Sequence, residues 1–438
     1  MIGAIFLVSV TFSYALSVGL LAIFTGLAMS KQSCQALFGT NSPLMKYGLS
    51  VEIISSLITE YSLHLMTLKT AVLLSIRYLG FSLNILWLIQ LFDCGTILGL
   101  MFLFYEGFVE EAVAHGEIGK LVGKNINPYL AFTSANYMNK LINPLWTSSD
   151  TMVYPSITYA TNEELREAFN ISQDFKEASK MVLDIYTRRE KRIELYPVLI
   201  SLHGIGWQHE TKDLFLPHEK DLVVHNNWVV VNVGYRTSSK ATYSHQLQDV
   251  KRAIRWIKES IHLFGGDQNS IIIQGDSTGV HLAALVALTA NDPRYQPGFE
   301  SLDTSVKGVI CLNGVLDLQS NSNLASRFMN NTLGVKVPSP EFATEHNPIE
   351  VIKSAKEANN LAKFLIVNCG RDTLVNTSVC QNFKQEYDSV SRTDIEKDEC
   401  SIITLPNSRH IFYSGWSPRS INLSNVVQTW CKQFTLNS

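Results

Sequence analysis

The stretch Ser270-Ile271-Ile272-Ile273-Gln274-Gly275-Asp276-Ser277-Thr278-Gly279-Val280-His281-Leu282-Ala283-Ala284 decides how this chain is read. Its first part is apolar and β-branched, which suits a strand buried on both faces. Its last part is apolar at helical density. Between them stands the pentapeptide Gly275-Asp276-Ser277-Thr278-Gly279. A G-x-S-x-G pattern alone recurs by chance. A strand before it and a helix after it are the setting of a nucleophile elbow. The glycines permit the tight turn, so the serine hydroxyl projects from the sheet's edge. The helix N-terminus that follows favours developing negative charge. Ser277 is therefore the candidate nucleophile, with an ordinary loop serine as the bland alternative.

Three other places carry matching chemistry. His203-Gly204-Ile205-Gly206-Trp207 directly follows the apolar run Pro197–Leu202. Small residues there let backbone N–H groups turn toward an oxyanion, so Gly204, Ile205 and Gly206 are candidate oxyanion-hole positions. The alternative is a plain glycine turn. Thr278, next after the nucleophile, offers a further N–H. Asp372, in Gly370-Arg371-Asp372-Thr373, lies just past an expected strand and is the candidate acid. A helix-capping role is its alternative, and Asp317 in Leu316-Asp317-Leu318 is the rival acid. His410, in Ser408-Arg409-His410-Ile411, follows the last expected strand and is the candidate base. The chain order Ser277, Asp372, His410 is the order expected where a nucleophile elbow follows a strand of a parallel sheet. His281 competes as the base but sits on the helix behind the elbow.

Working outward, short apolar runs recur at Ser156–Ala160, Met181–Tyr186, Pro197–Leu202, Trp228–Val233, Ser270–Gln274, Ser305–Leu312, Phe364–Asn368 and Cys400–Leu405. Helical patterns separate them. Gln246–His262 places Leu247, Val250, Ile254, Ile257 and Ile261 at 3–4 spacing. Alternating strands and helices predict an α/β class with a central, mostly parallel sheet flanked by helices.

The first third reads differently. Residues 1–30 contain no charged residue and are long enough to span a bilayer, which takes about 20 apolar residues. A cleaved signal peptide is the competing reading. A second apolar run, Phe81–Tyr105, carries Asp93 near its centre, at a cost of roughly 2.5–3.5 kcal/mol on insertion scales. It inserts only if Asp93 faces a neighbouring helix; otherwise it lies against the catalytic domain or on the bilayer surface. Between them, Val51–Ile76 is an amphipathic helix or a poor third span. With two spans, the positive-inside rule puts the 31–80 loop in the cytoplasm and the catalytic domain in the lumen or outside the cell. A third span reverses that. The expected organisation is an N-terminal hydrophobic, transmembrane helical region over 1–105, a connector over 106–152 and a catalytic domain over 153–438.

Hydrophobic residues make up 46% and charged residues 17% of the 438-residue chain, which fits membrane-embedded sequence. A net charge of −3 gives no support to a nucleic-acid partner. The seven cysteines form no zinc-like spacing and read mostly as buried free thiols. Cys380 and Cys400, flanking a polar stretch, are a candidate pair in an oxidising compartment.

His203–Trp207 and Gly275–Gly279 together resemble the hormone-sensitive-lipase branch of the α/β-hydrolase fold, which includes arylacetamide deacetylase-like esterases. The chain is more similar still to membrane-associated esterases of mycobacterial type. Val233-Gly234-Tyr235-Arg236, Asp249–Trp256, Gly265-Gly266-Asp267 and Asn291–Glu300 carry that likeness. It runs from about Ile157 to the C-terminus. Glycine is usual in the family where Ile205 stands, and alanine where Thr278 stands. The resemblance implies hydrolysis of carboxylic esters, small or lipid, without a metal or organic cofactor. The resulting expectation is a membrane-anchored serine carboxylesterase or lipase. Its rival is a catalytically silent α/β-hydrolase scaffold that binds a lipid or protein.

Overall fold

The computed structural model describes residues 2–39, 42–78, 86–122, 135–190, 194–204, 212–237, 243–320, 340–391 and 399–435. Ile205, Gly206 and Trp207 lie outside these. An eight-stranded sheet organises the second part of the chain: β1 (Thr151–Thr158), β2 (Val182–Arg188), β3 (Tyr196–Leu202), β4 (Val229–Val233), β5 (Gly266–Asp276), β6 (Gly308–Leu312), β7 (Lys363–Cys369) and β8 (Cys400–Leu405). The spatial order is β1-β2-β4-β3-β5-β6-β7-β8. β2 runs antiparallel to both of its neighbours, and all pairings from β4 to β8 are parallel. The expected mostly parallel sheet, flanked by helices, is thus what forms.

The apolar runs are continuous because both faces of this sheet are covered. Ile271 and Ile273 of β5 join one core layer, while Ile272 between them joins the other. Val198 and Ile200 alternate with Leu199 in the same way, as Phe364 and Ile366 alternate with Leu365. Side chains alternate in direction along a strand, so a two-sided burial needs an unbroken apolar run. Each such fully buried side chain contributes roughly 1.5–3 kcal/mol relative to exposure.

Helices fill both layers. The helix Tyr243–Ser260 turns Leu247, Val250, Ile254 and Ile257 onto one face of the sheet. The helix Thr278–Leu288 leaves the elbow and is buried at every position. The C-terminal helix Pro418–Cys431 packs Val426, Val427 and Trp430 on the other face. All seven cysteines are free thiols, Cys380 and Cys400 among them, and both of these are buried. The pairing considered from sequence does not form.

The first part of the chain is helical: α1 (Ile2–Met29), α2 (Lys31–Phe38), α3 (Gly48–Glu60), α4 (Ser62–Tyr78) and α5 (Leu86–Val122). Two of these, α1 and α5, are long and apolar enough to cross a membrane. They expose large apolar side chains such as Phe12, Ile23, Leu91 and Phe92. Asp93 does face its neighbours: Lys69 of α4 lies 2.9 Å away and the Tyr14 hydroxyl of α1 donates to it at 2.7 Å. Beyond Tyr105, α5 changes character. Glu106 and Glu110 are buried against the second part of the chain, where Glu106 pairs with Arg371 at 2.6 Å and Glu110 with Arg419 at 3.0 Å. The helix that holds the second apolar run thus continues past it onto the second part of the chain.

Candidate active site

Ligand chemistry in a parallel sheet gathers at the carboxyl ends of its strands, where loops and helix N-termini converge. Five such ends meet here, those of β3, β5, β6, β7 and β8. β5 ends at Asp276, and Ser277 adopts φ 51°, ψ −114° before the helix Thr278–Leu288 begins. A non-glycine residue at positive φ stores strain of about 1–3 kcal/mol, and surrounding structure must hold it. Two contacts do so. The Ser277 N–H donates to Leu312 O at 2.8 Å, tying the elbow to the end of β6. Gly204 and Gly279 interlock: a Cβ on Gly204 would stand 2.5 Å from Thr278 N, and one on Gly279 would stand 2.1 Å from Leu202 O. Neither position admits a side chain. This close approach sets the turn after β3 beside the Thr278 N–H. Among the oxyanion candidates, Gly204 and Thr278 are brought together, while Ile205 and Gly206 fall outside the described residues.

Ser277 Oγ lies 2.8 Å from His410 Nε2, and His410 Nδ1 lies 2.7 Å from Asp372 Oδ2. All three side chains are buried. With Nδ1–H donating to the carboxylate, Nε2 is left to accept the serine proton. The other Asp372 oxygen accepts the N–H groups of Leu374 at 2.7 Å and Val375 at 3.2 Å. The carboxylate therefore also closes its own turn, while the cap of the following helix is Asn376 and not Asp372. Burial disfavours the His410 imidazolium, but the facing Asp372 carboxylate, with Glu52 and Asp276 further off, outweighs it and raises the group above the ordinary histidine value.

The rival residues are elsewhere. Asp317 accepts from the Asn347 amide at 2.9 Å and the Gln319 N–H at 2.9 Å. His281 Nε2 meets His346 O at 2.9 Å, and burial lowers its pKa to about 3.

Several supporting groups were not legible in the motifs. The Asn313 amide, just past β6, donates to His410 O at 2.8 Å and fixes the backbone of the histidine loop. Asp276 accepts from the Tyr413 hydroxyl at 3.1 Å and lies 3.1 Å from His203 Nδ1. Burial works against the His203 cation, and the Asp276 contact reverses this, raising its pKa. Glu52 of α3 and Arg409, beside His410, form a fully buried pair at 2.6 Å. The only hint of these in sequence is an isolated carboxylate in an apolar run and a basic residue next to the base.

Comparison with known proteins shows what the chain as a whole is similar to. A family model described as BD-FAE matches residues 183–387. Esterase LipQ of Mycobacterium tuberculosis is 32% identical over 53% of this chain and 54% of its own length. The probable carboxylic ester hydrolase LipM of the same organism is 30% identical over 56% of each chain. Arylacetamide deacetylase of Mus musculus is 28% identical over 28% of this chain and 34% of its own length. The chain spans about half the length of the mycobacterial relatives it matches. Among solved structures, an inhibited esterase B from Lactobacillus rhamnosis superposes with a TM-score of 0.52 at 17% identity, over 73% of this chain and 97% of that one. That likeness concerns the fold alone. Sheet and elbow together have the α/β-hydrolase fold, and the chain is similar in sequence to the esterases named above.

Proposed function

We propose that this chain is a membrane-anchored serine hydrolase that cleaves carboxylic esters through Ser277, His410 and Asp372. The observation that carries the reading is the unbroken line from Ser277 Oγ to His410 Nε2 at 2.8 Å and from His410 Nδ1 to Asp372 Oδ2 at 2.7 Å. Ser277 attacks the ester carbonyl while His410 takes its proton. Asp372 orients the imidazole and stabilises the imidazolium. The Thr278 N–H, beside Gly204, receives the developing oxyanion, and Ile205 and Gly206 are the further positions assigned to it. His410 then returns the proton to the leaving alcohol, and water hydrolyses the acyl-enzyme. No step calls for a metal or an organic cofactor. Small-molecule or lipid esters are the substrate class.

Fluorophosphonate labelling of wild type beside Ser277→Ala tests the nucleophile. Equal labelling of both sinks Ser277, and labelling of neither favours the scaffold reading. Hydrolysis by Asp372→Asn beside Asp317→Asn tests the acid.

The membrane part of the reading rests on α1, α4 and α5. Phe12, Leu68 and Leu91 are more than half exposed, while Lys69 and Asp93 are buried against each other. That is the arrangement of helices whose apolar sides meet lipid and whose charges meet inside the bundle. If α4 crosses together with α1 and α5, residues 31–60 lie on the same side as the catalytic sheet, in keeping with the hydrogen bond from Lys31 to Gly370 O at 3.1 Å. Lys31 and Lys46 then favour a cytoplasmic site, opposite to the two-span count. Protease protection in sealed vesicles tests this: a catalytic domain shielded within microsomes, or glycans at the Asn-x-Ser/Thr sites Asn170, Asn330, Asn376 or Asn422, returns the lumenal orientation.

A further inference from the structure

The loop that carries His410 is held from a direction the sheet does not supply. β7 and β8 pair as far as Cys369 and Leu405, and one backbone bond from Arg371 N–H to Ser408 O continues past them. Beyond that point a carboxylate from the N-terminal helices takes over. Glu52 of α3 is fully buried. Its Oε2 accepts from Arg409 Nη1 at 2.6 Å and from the Thr373 hydroxyl at 2.5 Å. Its Oε1 accepts from the His410 N–H at 3.3 Å. Thr373 follows the acid and Arg409 precedes the base. One side chain therefore bridges the two loops whose separation sets the Asp372–His410 hydrogen bond. Arg409 is anchored in turn: its Nη2 donates to Leu27 O at 2.7 Å and its Nε to Ala28 O at 3.2 Å, at the C-terminal end of α1.

We infer that Glu52 is a positioning residue for the Asp372–His410 pair, so that the apolar N-terminal region is a working part of the site and not only its anchor. This rests on the catalytic roles proposed above for those two residues. A buried carboxylate with three donors costs several kcal/mol to desolvate and is stable only when those donors are fixed. It therefore reports the placement of the helices directly to the loops of the acid and the base. A displacement of about 1 Å at such a site costs on the order of 10²-fold in rate.

The same carboxylate acts on the base through its charge. The charged groups around His410 are Asp372 beyond β7, Asp276 at the elbow, Glu52 from α3, Arg409 in the loop itself and Glu110 of α5. Glu110 accepts from the Ser408 hydroxyl at 2.7 Å and from the Asn407 N–H. The nearby Cys369 thiol and Tyr413 phenol are pushed well up by burial and stay neutral across the working range. Of the carboxylates, Glu52 is one of those that favour the His410 imidazolium. Removing its charge makes the imidazole harder to protonate, so the acidic limb of the rate profile moves to lower pH.

The test is ester hydrolysis by the full chain in detergent, with sites counted by fluorophosphonate titration. Glu52→Gln is expected to lower kcat per titrated site by about 10–100-fold with KM little changed. Its acidic limb should move down by about half a pH unit. Glu52→Asp keeps the charge, so its limb should stay in place while kcat per site falls. A merely structural role would reduce the number of titratable sites and leave kcat per site and the limb as in wild type; that result overturns the inference. If Glu52→Gln alone does not fold because Arg409 is left buried and unpaired, Glu52→Gln with Arg409→Met removes both charges. A wild-type kcat per site in that double variant overturns the inference equally. A wild type that titrates while both variants behave like it refutes only the role of Glu52. A wild type that does not titrate at all refutes the hydrolase reading and this role with it.

Discussion

The two ends of helix α5 make an instructive comparison. Its first half, with the neighbouring faces of α1 and α4, keeps one buried ion pair, Lys69–Asp93, and turns Trp87, Leu91, Phe92 and Leu98 outward. Its second half does the reverse, packing acidic residues into the protein. Glu106 holds Arg371 through two bonds of 2.6 Å, and Glu110 holds Arg419 at 3.0 Å. Alongside, Glu60 of α3 accepts from the Ser417 hydroxyl at 2.6 Å, and burial pushes its carboxyl up to about 7 against the pull of Arg419. The first arrangement suits an apolar surrounding with little to specify. The second ties helices to one register on a preformed domain. Buried ion pairs contribute little net stability against an apolar replacement, but losing one partner is costly. The difference teaches that the helical region meets the sheet by a specific, charge-keyed contact.

The largest effect should fall on the site itself and leave that contact alone. Ser277→Ala is expected to lower kcat by at least about 10⁴-fold, with thermal unfolding close to wild type. An equal loss of stability would mean that site and packing cannot be separated. Arg419→Met attacks the charge-keyed end and should destabilise by about 3–5 kcal/mol, seen as a lower Tm in detergent, because Glu110 is left buried without its cation. A shift below about 1 kcal/mol would show that this contact is looser than its geometry. The base links the two regions through charge. kcat/KM should fall about tenfold for each pH unit below the His410 pKa, with that limb above the ordinary histidine value of about 6.5. The sign follows from the neutral imidazole being the active form and from Asp372 favouring its protonated form. A limb below 6 would contradict the electrostatics around His410. Tyr14→Phe at the apolar end should cost less, about 0.6–1.7 kcal/mol, because it removes one hydrogen bond while the Asp93 carboxylate keeps its Lys69 cation. A penalty as large as that of Arg419→Met would erase the contrast between the two ends. Lys120→Ala should change stability by less than about 0.5 kcal/mol, since its pair with Glu117 is exposed.

Much of the site was legible because its signals are local. The elbow announces itself through adjacent residues: Ile271–Ile273, the two flanking glycines and Val280 onward. Asp372 and His410 each follow a recognisable strand, and their chain order matches the geometry. The choice between Asp372 and Asp317 was not local. Both follow strands, and only the pairing of β7 with β8 brings one of them to the histidine. Asp93 was legible as a problem, but its partners Lys69 and Tyr14 come from separate helices. Glu52 was read simply as a charge on an amphipathic run, since its partners lie 321 to 358 residues away.

By itself, the sequence determined the α/β class, the strand–turn–helix setting of the candidate nucleophile and the apolar character of the first helices. Each follows from short-range periodicity and turn chemistry, which neighbouring residues dictate. Only the tertiary structure decided which acid meets the base, where α5 changes from apolar to charge-keyed, and that Glu52 reaches the His410 loop. Those are meetings of side chains far apart in the chain. Their energy comes from shared burial and from hydrogen bonds in a low-dielectric interior, and no local pattern encodes which distant partner will be there.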